Sequence, residues 1–110
     1  MDPQDSAINP PLYYCPCSEF TLTTSHPLST FPIRPYDQSI IVPADVKYRI
    51  FATRHNVTLK RTEGYEQRIE WRCNRCEIPV AYEILEYPWL YVIQGALQEQ
   101  TNDSVKKESV

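Results

Sequence analysis

Glycine, histidine and long apolar runs are all scarce in this chain of 110 residues, and each scarcity removes a class of function. Two glycines exclude most of the glycine-rich loops that cradle phosphates. The two histidines, His26 and His55, sit in different segments with no HExxH or GxSxG pattern around them, so they read as surface residues. No stretch approaches the roughly 18 apolar residues that a membrane-spanning helix needs. The opening Met1-Asp2-Pro3-Gln4-Asp5 lacks the basic and then apolar order of a secretory signal. The expectation is a soluble intracellular chain without membrane insertion. Basic charge is in deficit overall, with 11 Lys and Arg against 14 Asp and Glu for a net charge of −3. The hydrophobic share of 42% is nevertheless ordinary for a folded domain.

What the chain has instead is proline, tyrosine and β-formers. Ile, Val and Thr together number 24 and the aromatics 13, against 12 Ala and Leu. Period-2 alternation recurs. In Arg68-Ile69-Glu70-Trp71-Arg72-Cys73 the odd positions are apolar and the even ones charged, the pattern of a half-buried antiparallel strand. Ile78, Val80, Tyr82 and Ile84 alternate likewise, as do Val57 and Leu59. Leu90-Tyr91-Val92-Ile93 reads as a buried strand that stops at Gly95, and Leu12–Cys15 with Glu19–Thr23 reads as a hairpin around Pro16. Thr62-Glu63-Gly64-Tyr65 should turn one strand back on the next, with Gly64 at positive φ. Ser25 to Asp37 should be an extended proline-stiffened loop, and Pro43–Lys47 could open a single helical turn. The expected architecture is mostly β, a single small antiparallel domain of about seven strands. Its body is residues 11–97, between a flexible N-terminus at 1–10 and a flexible polar tail at 98–110.

The four cysteines fall into two close pairs, Cys15-Pro16-Cys17 and Cys73-Asn74-Arg75-Cys76, each where a strand gives way to a turn. Two such turns can supply the four corners of a tetrahedron, so Cys15, Cys17, Cys73 and Cys76 are expected to hold a structural Zn2+. Structural disulfides do not suit an intracellular chain, and a redox pair would need a helix N-terminus that this sequence lacks. Four thiolates leave no open coordination position for water. With no nucleophile–base pair elsewhere, neither enzymatic activity nor a small-molecule substrate is expected.

Charge is uneven. Lys47 to Arg75 holds eight basic residues against three acidic ones, and among them Arg61, Arg68 and the turn residue Tyr65 are candidates for contacting a partner. An RNA backbone or an acidic protein segment would suit such a surface, whereas a solvated sheet face explains it equally simply. Arg34 and Tyr36 in Phe31-Pro32-Ile33-Arg34-Pro35-Tyr36-Asp37 are a second candidate set. Glu63, Glu66 and Glu70 read as solvated carboxylates.

The order Tyr13-Tyr14-Cys15-x-Cys17, Pro32-x-Arg34-Pro35-x-Asp37, Leu59-x-Arg61-x-Glu63-Gly64-x-Glu66 and Cys73-x-x-Cys76-x-x-Pro79-x-x-Tyr82 resembles the STEEP family (STING ER exit protein) from about Tyr13 to Ala96. The resemblance implies a non-enzymatic family whose animal members help an innate-immune membrane protein leave the endoplasmic reticulum. It also implies occurrence in the nucleus with the splicing machinery, and metal-type roles for the four cysteines. Animal members carry Gly where this chain has Ser18, and continue into a long charged tail that this short sequence does not show. The expectation is therefore a zinc-stabilised protein-interaction module in a larger assembly, a subunit of a nuclear ribonucleoprotein such as the spliceosome, located in the nucleus and also the cytoplasm. Two alternatives accompany it: an adaptor for membrane-protein export from the endoplasmic reticulum, and a direct RNA-binding module.

Overall fold

The structure, a computed structural model, describes residues 10–100. Nine strands follow one another: β1 (Leu12–Tyr14), β2 (Phe20–Thr24), β3 (Ile40–Val42), β4 (Tyr48–Ile50), β5 (Ala52–Arg61), β6 (Gly64–Cys73), β7 (Pro79–Ile84), β8 (Leu90–Val92) and β9 (Gln98–Gln100). They form two antiparallel sheets, a four-stranded one in the order β4-β2-β1-β9 and a five-stranded one in the order β3-β8-β7-β6-β5. The expected mostly-β antiparallel fold is what the chain adopts.

The main core draws on both sheets. Tyr13 and Leu22 come from the four-stranded sheet, and Val42, Val80, Leu90 and Val92 from the five-stranded one. Alternation places these side chains inward, and cross-strand packing of β-branched and aromatic residues stabilises the sheets. The chain passes from one sheet to the other at Phe51, whose N–H still donates to the Thr21 carbonyl of β2 at 2.7 Å. Leu28, in a single 3-10 turn at Leu28–Thr30, is buried, and its N–H donates to the Tyr13 hydroxyl at 2.7 Å. The long loop after β2 is therefore pinned to the core at that point.

β5 and β6 are ten residues each and pair without a register shift from Ala52↔Cys73 to Arg61↔Gly64. Gly64 closes this hairpin with φ +129°, as its place in the turn requires. Pairing with β7 begins only at Arg68↔Ile84, so the hairpin's far half reaches beyond the sheet as a two-stranded arm. A second, smaller core of Tyr82, Ile84 and Tyr91 is backed by Ile41, Trp89 and Ile93. The pairs Arg68↔Ile84 and Glu70↔Tyr82 put the even, charged side of β6 on the same face as Tyr82 and Ile84.

Several short elements differ from expectation. β3, β4 and β9 are additional three-residue strands, and Pro43–Val46 makes a hydrogen-bonded turn, not a helical one. Order continues past Leu97, because Gln98–Gln100 pairs with β1. That strand is wholly exposed, so backbone pairing and not apolar burial holds it. The rest of the two expected flexible termini, 1–9 and 101–110, lies outside the described residues.

Candidate metal centre and arginine network

Cys15 and Cys17 stand on the turn between β1 and β2, while Cys73 is the last residue of β6 and Cys76 lies on the turn that leads to β7. The two turns are built alike. In each, the first cysteine's N–H donates across the turn, Cys15 to the Glu19 carbonyl at 2.9 Å and Cys73 to the Ile78 carbonyl at 2.9 Å. In each, the residue after the second cysteine has positive φ, Ser18 at 82° and Glu77 at 67°, and donates back to the first cysteine's carbonyl. A glycine adopts that backbone without the steric cost a Cβ brings. The turn therefore keeps a glycine-type conformation although Ser18 occupies it. Ser18→Gly and Glu77→Gly should each raise stability by about 0.5 kcal/mol, a gain of a few degrees in melting temperature measurable by calorimetry.

Because one turn belongs to each sheet, the cysteines meet across the interior. Cys15 Sγ lies 3.4 Å from Cys76 Sγ, Cys17 Sγ lies 3.5 Å from Cys73 Sγ, and all four sulfurs are within 4.8 Å of one another. A disulfide needs about 2.05 Å, so these are four free thiols. Thiolates around a tetrahedral zinc at about 2.3 Å would stand about 3.8 Å apart, close to the spacing found. Cys15 and Cys73 are buried, Cys17 is half-buried and Cys76 is exposed.

The electrostatics suit a cation. Burial pushes the Cys15 thiol up to about 12 and also raises Cys17. At Cys73 burial acts in the same direction but is outweighed by the Cys76 and Arg75 N–H groups, which bring it down to about 7. The Arg75 N–H lies 3.4 Å from Cys73 Sγ, and its guanidinium donates to the Cys17 carbonyl at 3.2 Å. Packed thiols do not all ionise side by side, whereas a bound divalent metal deprotonates its ligands outright. Donor set, spacing and backbone N–H groups thus fit a closed four-cysteine metal site.

Four of the five candidate partner residues meet at a second site. Arg61 donates to Glu66 at 2.6 Å, Arg68 to Glu66 at 2.8 Å, and Arg34 stands 3.6 Å from the same carboxylate. Arg34 also pairs with Asp37 at 3.6 Å and donates to the Tyr82 hydroxyl at 2.6 Å. The Tyr82 hydroxyl in turn donates to Asp37, and Arg61 donates to the Tyr36 hydroxyl. Arg68 stacks over the Tyr82 ring at 3.7 Å, and Arg61 over Tyr36 at 4.3 Å. These contacts fasten the Pro32–Asp37 loop onto the arm and over the second core. Tyr65 is not part of them: it is 70% exposed near the hairpin tip.

Sequence reasoning missed the other half of this network. Glu66 was expected to be solvated, but its side chain is only 14% exposed and receives three arginines. The available signal was the spacing of the motifs themselves, since Arg34, Asp37, Arg61, Glu66 and Tyr82 are all motif positions and all converge here.

Two comparisons bear on what such a molecule is. The family model described as the STEEP1 domain matches residues 4–107. The chain is also 34% identical over 91 residues to the ER exit protein of Schizosaccharomyces pombe, covering 80% of this chain and 79% of that one. This overturns the expected nuclear ribonucleoprotein role and nuclear location, because the relative's name places its role at exit from the endoplasmic reticulum. Part of the basic window is also met within the fold. Arg61 and Arg68 are paired with Glu66, Arg72 with Glu70 at 2.8 Å, and Arg75 with a backbone carbonyl, so much of the basic window is satisfied inside the fold.

Proposed function

Because this chain belongs to the STEEP1 domain family, we propose that it serves in the exit of proteins from the endoplasmic reticulum, as a non-catalytic adaptor whose two sheets are clasped by a zinc ion. The carrying observation is the 34% identity to a protein named for that step. The metal choice is supported by an all-thiolate donor set, which suits zinc and gives no preference to hard cations. An adaptor is supported by the closed character of that site, which leaves no position for an activated water. No helix of the described residues is long and apolar enough to cross a membrane.

The reading is tested in cells lacking the gene. Movement of a glycosylated membrane protein out of the endoplasmic reticulum, followed by acquisition of endoglycosidase resistance, should be slowed and then restored by the wild-type chain. Unchanged kinetics in the deleted cells would overturn it.

A further inference from the structure

β5 is the outermost strand of its sheet, paired with β6 alone, and it is the longest edge the described residues present. Ten residues without proline and without a bulge leave a row of backbone N–H and C=O groups facing outward. Natural edges of this length are usually covered or interrupted, and an uncovered one is a template for an added strand.

The side chains of β5 differ between its two faces. Arg54, Asn56, Thr58 and Lys60 are exposed on one, while His55, Val57 and Leu59 are half-buried on the other. Arg54 pairs across to Trp71 and Lys60 to Tyr65, and neither cation has an ion pair among the described residues. From Lys47 to Arg61 the sequence holds five basic residues and no acidic one. A second copy pairing β5 to β5 would set cation against cation, which is destabilising across strands.

We propose that the outer edge of β5 binds an extended protein segment in which acidic and apolar residues alternate. The segment would add a sixth strand, its carboxylates facing Arg54 and Lys60 and its apolar side chains lying beside Val57 and Leu59. Main-chain hydrogen bonds supply the affinity and the alternation supplies the selectivity. The proposal names the contact by which an adaptor would hold its partner, and to that extent rests on the adaptor reading.

The probe is a fluorescein-labelled decapeptide alternating Glu and Val, titrated into the zinc-loaded chain and followed by anisotropy. A peptide of the same composition in two blocks, five Glu then five Val, is the control, together with an alternating Lys and Val peptide. The alternating acidic peptide should bind about tenfold more tightly than either control, and Arg54→Glu with Lys60→Glu should remove about tenfold of that affinity. Alternate backbone amides of β5 should become protected from hydrogen exchange in the complex. Equal binding of all three peptides, protection that spares β5, or β5-protecting self-association seen by sedimentation without peptide would each overturn the proposal. Normal cargo exit in deleted cells, with peptide binding intact, would instead sink the adaptor reading alone.

Discussion

Stripping the metal with a chelator is expected to abolish the cooperative thermal unfolding of this chain and leave it without a stable sandwich. The expectation follows from where the four sulfurs sit. One pair belongs to the four-stranded sheet and the other to the five-stranded sheet, with 61 positions separating Cys15 from Cys76. Apparent binding energies of structural zinc in small peptides are about 10–16 kcal/mol, comparable to or larger than the roughly 5–15 kcal/mol of a whole domain. Here β1 and β4 are only three residues long, so the four-stranded sheet has little ladder of its own to fall back on. Cys73→Ser should act like the chelator, because it removes a buried ligand whose thiolate the neighbouring N–H groups already favour. Cys76→His should be milder, since Cys76 is exposed and imidazole is also a zinc ligand. Circular dichroism melts of the three samples would check this. A chelated protein melting at the wild-type temperature would mean that the apolar core suffices.

Glu66→Gln should cost about 2 kcal/mol, the second-largest effect expected. Its carboxylate is the common partner of Arg34, Arg61 and Arg68; without it Arg34 and Arg68 share Asp37 alone, and Arg61 loses its carboxylate partner. The side chains of Arg34 and Arg68 are only 19% and 11% exposed, so water does not replace the lost partner freely. Acid should reproduce the change. Burial by itself would raise the Glu66 and Asp37 carboxyls; Arg61 and Arg68 more than offset this at Glu66, as do the Tyr82 and Ser39 hydrogen bonds at Asp37. Both therefore titrate below their ordinary values of 4.5 and 3.8. Their stabilisation is complete above those values and is lost as pH falls through the depressed ones. The stability gap between wild type and Glu66→Gln, measured by urea titration, should be constant at neutral pH and narrow only in acid. A gap that stays open below the carboxylate range would mean that the variant's defect is steric.

The strands that sequence reasoning located are those with a side-chain pattern to show. Arg68–Cys73, Ile78–Ile84 and Leu90–Ile93 alternate or are apolar throughout, and a strand runs through each, although Ile78 and Ile93 lie just outside theirs. Ile40–Val42 and Tyr48–Ile50 are too short to display a period, and Gln98–Gln100 has no apolar residue at all. The cysteine cluster was legible because its chemistry is confined to one residue type, which occurs four times in 110 residues. The arginine network was not, because Arg34 and Glu66 are common residue types 32 positions apart whose pairing depends on where the loop lands. The even side of β6 looked solvent-facing from its charges. At Glu66 and Arg68 it is covered, because the loop brings its own arginine and aspartate to match them.

Metal content tests the central claim most directly. Elemental analysis of the chain purified without added metal should find one zinc atom per chain, with all four thiols unreactive toward a disulfide reagent until a chelator is added. A folded protein with no stoichiometric metal and four freely reactive thiols would contradict it.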